Sequence, residues 1–546
     1  MKIEIFDTTL RDGAQGAGIN FNDDDKIKVI HALDQIGVSY IEAGMLCDAH
    51  SEEFFKKLGK LSLRNSKLCV FGQTRRPGET CGENPFLPAI AASPVPCAVI
   101  YGKSWTYQVA NVLGTTAEEN LSMIADTVRY LREAGKEVIF DAEHFFDGYA
   151  DNAEYSLRVV DTALKAGASR VVLCDTNGGM LPDVIGMITK AVTDRFGNIG
   201  IHCHNDLGMA AACSVSAVLS GAMQVHGTIS GVGERCGNTN LNTIIPVLQL
   251  KLGFDCIGDA IQKLTKTARF VNEMANLTFS ENEPFVGGYA FTHKAGAHID
   301  GVNKAPRTFE HISPEAVGNK RNILISGLSG RAAVMEKLRE LIVEQCMGSG
   351  MEEIGRSLAD GTMSKNDPMI IRAAELIREK EAAGYSYEDA GASLALVLDE
   401  AFGILRRSFD LLNLKVIVDE NSEAAGVSGG EMRSWAMIKI SVNGCEELSA
   451  GEGNGPVNAM DICLRRALSR FYPEIEGMHL TDYKVRVLES SATASAVRVL
   501  IESTDGVSVW RTMGVSHDII NASWQALRDS VEYMLSRQTN GKSVGL

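Results

Sequence analysis

Over roughly the first 250 residues, short β-branched runs alternate with helical patterns, and no other property of this chain restricts its fold so tightly. The runs cover residues 3–6, 38–43, 67–71, 96–101, 137–142, 170–174, 199–202 and 225–229. The clearest intervening helix is expected over 25–36, with Asn22 as N-cap and acidic residues in its first turn. About eight β/α units at this spacing match a TIM (β/α)8 barrel, an α/β fold whose active site gathers at the C-terminal ends of its strands. An open doubly wound sheet is the alternative, but no Gly-x-Gly-x-x-Gly follows the first run.

The chain has 546 residues, too many for one hydrophobic core, and its pattern changes twice. We expect a barrel over 1–276, a connector of mixed helices and loops over 277–405, and a C-terminal α+β domain over 406–546. Helices are expected at 371–381 and 390–401 in the connector, and at 459–470 and 522–535 beyond it. The stretch from His293 to Gly301 is polar and glycine-rich, a composition suited to a loop that reaches over a site. In the last domain Gly451 precedes Asn458-Ala459 as Gly514 precedes Asn521-Ala522, and Leu464-Arg465 and Leu527-Arg528 keep the same 63-residue offset. That repeat predicts a doubled βββα unit. The Gly451 to Gly455 stretch lacks the Lys and Ser/Thr of a phosphate loop, so it reads as a tight strand-to-helix turn.

A formal charge of −16 argues against nucleic acid or an anionic membrane surface as the main partner. The 12 cysteines include no Cys-x-x-Cys pair, which argues against a zinc knuckle and suits a reducing, cytoplasmic location. No signal region is expected at the start, because Met1 runs directly into strand pattern. Residues 207–225 lack charge over nearly a membrane span, yet their Ala, Ser and Gly content predicts a packed internal helix instead.

Polar residues crowd the expected C-terminal ends of the strands. His202 and His204 are one residue apart on a strand and so point into a common space, which is a metal-ligand spacing; Cys203 between them turns to the opposite face and packs. Asp12 supplies a hard oxygen after the first strand, leaving open positions on a divalent ion for substrate. Asn238, on the glycine-rich loop after the eighth strand, either completes that shell, directly or through water, or serves as a turn residue. Such a cation can chelate the carbonyl and carboxylate of a 2-oxo acid. Arg11 then either stabilises charge growing on the carbonyl oxygen or forms only a surface ion pair. Glu143 and His298 are the candidate bases for a partner carbon acid.

Taken together, Asp7-Thr8-Thr9-Leu10-Arg11-Asp12-Gly13-x-Gln15, His202-x-His204-Asn205-Asp206 and Gly231-x-Gly233-Glu234-Arg235-x-Gly237-Asn238 resemble the 2-isopropylmalate, homocitrate and citramalate synthase family along the whole chain. The runs Tyr101 to Trp105, Phe140 to Tyr149 and Pro306 to His311 look like its citramalate synthase branch. The resemblance implies a metal-dependent Claisen condensation of acetyl-CoA with pyruvate, then thioester hydrolysis, in isoleucine biosynthesis. It implies Asp12, His202, His204 and Asn238 at the metal (Mg, Mn or Zn), Arg11, Gln15 and Thr176 at the substrate, and Arg11, Glu143 and His298 in catalysis. It further implies a homodimer whose C-terminal domain binds an amino-acid effector, isoleucine. A departure is Phe309, where related synthases tend to carry tyrosine. Three rivals stand beside this reading: a 2-isopropylmalate synthase taking 2-oxoisovalerate, an acyl-CoA lyase, and a catalytically retired amino-acid sensor.

Overall fold

The computed structural model describes residues 1–324, 331–343, 352–360, 362–419, 433–488 and 495–538. They form two compact units, one of Met1–Phe291 with His311–Arg321, the other of Thr292–Glu310 with the chain from Asn322 onward.

The first unit is a closed barrel of eight parallel strands: β1 (Glu4–Asp7), β2 (Tyr40–Met45), β3 (Lys67–Gln73), β4 (Cys97–Lys103), β5 (Glu137–Glu143), β6 (Arg170–Asp175), β7 (Ile199–Cys203) and β8 (Gln224–Gly227). Pairing of β1 with β8, in register at Phe6 and His226, shuts the cylinder. The expected first helix runs Asp23–Ile36, and Asn22 caps it by accepting a hydrogen bond from the Asp25 amide. The charge-free stretch contains the short helix Ala210–Leu219, and among the described residues no helix is long and apolar enough to cross a membrane.

Two separate apolar layers follow from strand parity. Residues such as Val138, Phe140, Ala142, Ile199, Ile201 and Cys203 pack outward against the helices. The alternate set, including Phe6, Phe71, Val99, Ile139, Val172 and Cys174, fills the lumen. Asp141 and Glu143 share the parity of Ile139, and His202 and His204 have the parity opposite to Cys203. The strand pattern alone thus turns these polar groups toward the inside of the barrel at its C-terminal mouth.

The second unit contains the helices Arg331–Val343, Glu352–Ala359, Pro368–Ala382 and Gly391–Ala401, followed by two antiparallel three-stranded sheets. The first sheet comprises Asp410–Asp419, Arg433–Val442 and Cys445–Gly453 before the helix Pro456–Leu468; the second comprises His479–Val487, Val497–Thr504 and Val509–Ser516 before Ile519–Gln538. The doubled βββα unit is therefore present. Its repeat residues are contact residues: a Cβ on Gly514 would lie 2.0 Å from the Ala522 carbonyl oxygen, and one on Gly451 3.0 Å from Cys463 Sγ. Glycine permits the helix to approach the strand, while Ala459, Ala522, Leu464 and Leu527 are fully buried beneath it.

One local expectation needs correction. Gly296–Lys304 is a helix rather than a reaching loop, because Ile299 and Val302, three residues apart, bury one face despite two glycines. Glycine at 301 leaves room for the Phe309 ring, which a Cβ would approach within 2.3 Å. The strand Cys445–Gly453 forms although its Glu, Ser, Ala and Gly residues are weak strand formers, because pairing along Arg433–Val442 overrides their propensity.

Candidate metal centre and active-site cavity

A cavity of about 240 Å³ opens at the barrel mouth, lined among others by Arg11, Asp12, Gln15, Glu143, Thr176, His202 and His204. Asp12 follows β1 in a turn where its amide donates to Thr8 Oγ1 (3.2 Å). Its carboxylate faces the two imidazoles brought by the end of β7. The His202 and His204 Nε2 atoms are 3.4 Å apart, and His202 Nε2 is 3.6 Å from Asp12 Oδ2. One ligand atom from each residue falls within 4.8 Å of the others. Donors sharing an ion at about 2.1 Å have separations of this size.

The electrostatics favour a cation. Burial by itself would raise the Asp12 carboxyl, but Arg11, both histidines and the Asn238 amide outweigh it and hold the group ionised well below the usual carboxylate range. Burial lowers both His202 and His204, so both rings are neutral with free lone pairs near pH 7. Asn238 donates to Asp12 Oδ1 (3.0 Å) and to the Val232 carbonyl (3.2 Å). Its own Oδ1 is buried and, among the described residues, unpartnered, as are the Nδ1 atoms of His202 and His204. A buried carboxylate, two neutral imidazoles and an orphaned amide oxygen form a donor set that fits a divalent ion.

Arg11 is not at the surface. Its Nε donates to Glu42 Oε2 (2.6 Å), its Nη1 to Asp12 Oδ2 (3.0 Å), and its guanidinium carbon lies 3.8 Å from the centre of the Phe71 ring. Thr8 Oγ1 donates to the same Glu42 oxygen (2.5 Å), and Glu42 is fully buried. Glu42 stood at a strand end in the sequence without a role; here it holds the guanidinium in place. Asp141 was likewise unassigned. It lines the cavity with Oδ1 unpartnered among the described residues, and burial pushes its carboxyl well above the usual range. The signal available in the sequence was its parity with Glu143.

Glu143 closes β5 and pairs with Lys103 at the end of β4. Gln15 ends a short 3-10 turn at the cavity rim. Thr176 follows β6, its hydroxyl oxygen accepting from the His144 amide (2.9 Å). The structure thus gathers Arg11, Asp12, Gln15, Glu143, Thr176, His202 and His204 around one cavity, with Asn238 bonded to Asp12. His298 is not among the lining residues. It belongs to the second unit, on the helix Gly296–Lys304, where its ring stacks on Phe309 with centroids 4.3 Å apart.

Behind the histidines, His226 stacks on Phe6 (3.8 Å) and meets His202 edge-on (5.6 Å), with its Nε2 3.0 Å from Gln224 Oε1. Burial holds His226 neutral well below its ordinary value. In the unfolded chain this ring takes up a proton below about pH 6.5, so its contribution to stability declines as pH falls through that value. The stability difference between wild type and His226→Gln at pH 7.5 is expected to shrink by about 1.4 kcal/mol per pH unit below 6.5. Urea unfolding of metal-free protein at three pH values measures it; a pH-independent difference would mean that the folded ring titrates normally.

Residues 2–271 match an HMGL-like family model, 285–356 a homocitrate synthase post-HMGL domain-like model, and 390–535 the LeuA allosteric (dimerisation) domain. The chain is 47% identical to an (R)-citramalate synthase of Aquifex aeolicus over 541 residues, covering 98% of each. It is 42% identical to an (R)-citramalate synthase of Geobacter sulfurreducens, again over 98% of each. A probable 2-isopropylmalate synthase of Methanopyrus kandleri is 30% identical, over 98% of this chain and 99% of its own. With full-length identity of this order and a buried Asp-His-His cluster at the mouth of an HMGL-like barrel, the chain belongs to the (R)-citramalate synthase family.

Proposed function

We propose that the chain condenses acetyl-CoA with pyruvate and hydrolyses the resulting thioester, releasing citramalate and CoA. The observation that carries this reading is the convergence of Asp12, His202 and His204 on a cavity that also receives Arg11, in a chain of this family. Asp12, His202 and His204 hold a divalent ion, with Asn238 as a further ligand directly or through water. When bound, that ion supplies Lewis-acid polarisation of the 2-oxo acid's carbonyl. Mg, Mn and Zn all suit one carboxylate and two imidazoles, and availability selects among them.

Arg11, fixed by Glu42 and Phe71, donates to the oxygen that gains charge as the new carbon–carbon bond forms. Thr176 and Gln15 receive the substrate carboxylate. His298, assisted by Glu143, takes the proton from the acetyl methyl carbon. Water then cleaves the thioester and CoA leaves as the thiol. The functional division is a catalytic barrel over 1–276, a connector over 277–405 and a regulatory domain over 406–546. In that last domain the LeuA match supports a homodimer and an amino-acid effector, which we take to be isoleucine, in a cytoplasmic enzyme of isoleucine biosynthesis.

Free-thiol release from acetyl-CoA across a panel of 2-oxo acids tests the assignment. Pyruvate is expected to exceed 2-oxoisovalerate by at least about 100-fold in kcat/KM, within the range that a pocket fitted to the smaller side chain delivers. A preference for 2-oxoisovalerate would make the chain a 2-isopropylmalate synthase, and no thiol release with any acid would leave the sensor reading. Repeating the assay with isoleucine and with leucine tests the effector, and the mass in solution tests the dimer.

A further inference from the structure

Thr176 is gripped from both sides by residues with unusual backbones. His144 (φ 56°) and Arg235 (φ 56°) both occupy the left-handed region that non-glycine residues rarely adopt. The His144 amide donates to Thr176 Oγ1 (2.9 Å), and Arg235 Nη2 donates to the Thr176 carbonyl oxygen (2.7 Å). Each gripping residue is itself held. His144 Nδ1 lies 3.0 Å from Asp147 Oδ2, the same oxygen that accepts from Asn177 Nδ2 at 3.0 Å. The Arg235 guanidinium forks onto Asp206, with Nε to Oδ1 and Nη2 to Oδ2 both at 2.9 Å. Asp206 and Arg235 come from two of the motifs that identified the family, and neither lines the cavity.

The direction of the His144 bond decides what Thr176 can do. An amide N–H can only donate, so Thr176 Oγ1 acts as acceptor on that side. Its own O–H is left to point elsewhere, and no acceptor for it is recorded among the described residues, although the side chain lines the cavity. Accepting from the amide uses one lone pair of the hydroxyl and leaves its O–H free to donate into the cavity. An anionic carboxylate is the partner such a donor suits, because charge-assisted bonds of this type are about twice as strong as neutral ones. We propose that His144, through its left-handed backbone, and Arg235, through its guanidinium, are positioning residues that hold the Thr176 hydroxyl as a donor to the carboxylate of the 2-oxo acid. This rests on the proposed function and deepens it.

The alternative is that His144 matters through its imidazole, as part of the rim with Trp105 (ring centroids 5.8 Å apart). Two substitutions separate these roles. His144→Val keeps the amide but disfavours the left-handed backbone, so KM and Kd for pyruvate are expected to rise at least about tenfold while KM for acetyl-CoA changes less than about threefold. His144→Gly loses the imidazole but adopts positive φ freely, and is expected to recover most of that loss. In a Thr176→Val background, His144→Val should add nothing further to the pyruvate Kd. Arg235→Ala, which frees the Thr176 carbonyl, should likewise raise the pyruvate KM and not that of acetyl-CoA.

The measurements are steady-state kinetics and calorimetric binding of pyruvate to the full-length, Mn-supplemented protein. His144→Gly as impaired as His144→Val, or undiminished losses in the Thr176→Val background, would overturn this inference and leave the proposed function standing. Wild type that neither binds nor turns over any 2-oxo acid would overturn both.

Discussion

His204→Ala is expected to release the divalent ion and to cut kcat by at least about a thousandfold, corresponding to roughly 4 kcal/mol of lost charge stabilisation. His204 is buried beside Asp12 and His202, and it supplies one of the three carboxylate or imidazole donors that converge there among the described residues. With it gone, Asp12 and His202, with the Asn238 amide oxygen, remain as a site of much lower affinity. The arrangement also predicts how the ion affects folding. At neutral pH the site holds one net negative charge from Asp12, partly compensated by Arg11 at 3.0 Å, so a bound cation should raise the melting temperature of wild type and do so far less in the variant. Metal content after dialysis, the melting shift with added Mn, and turnover of pyruvate provide three readouts. A variant that keeps stoichiometric metal and activity within tenfold of wild type would remove the Asp-His-His cluster from the mechanism.

Arg11→Met combines a catalytic and a structural loss, and the two can be separated. Removal of a preorganised donor aimed at developing negative charge costs about 100- to 1000-fold in kcat. The same change leaves Glu42 buried with only Thr8 as partner, and stranding one member of a buried ion pair costs about 3 to 5 kcal/mol. Burial already raises the Glu42 carboxyl, with Arg11 and Thr8 opposing, so loss of the guanidinium should raise it further and favour its neutral form. Adding Glu42→Gln to Arg11→Met should therefore restore much of the stability and none of the activity. Urea midpoints and pyruvate kinetics on the single and double variants test this. Equal instability in both would mean that Glu42 does not depend on Arg11, and full activity in Arg11→Met would place charge stabilisation elsewhere.

Strand parity explains why part of the centre could be read without coordinates. In a parallel barrel the side-chain period is two, so His202 and His204 must share a face and Cys203 must leave it; the structure packs Cys203 in the outer layer. The 63-residue repeat was legible for a similar reason, since Gly514 and Ala522 meet at a close strand-to-helix approach that tolerates little else. Glu42 and Asp141 were harder. A carboxylate at a strand end reads the same whether it faces solvent or a buried guanidinium, and only their positions around Arg11 distinguish these cases. The helix Gly296–Lys304 was hidden, and the strand Cys445–Gly453 weakly marked, because local propensity opposes them and burial or pairing prevails.

Periodicity and short-range spacing in this sequence determined the eight β/α units, the inward face of β7 and the doubled C-terminal unit, because each depends on neighbours only a few residues apart or on one repeated contact. Tertiary closure decided the rest. Asp12 and Asn238 are 226 residues apart and meet only because β1 pairs with β8. The same closure removes water from around Arg11, Glu42 and the histidines, and that desolvation sets which groups are charged. A property that arises from long-range contact and local dielectric has no signature in a window of sequence.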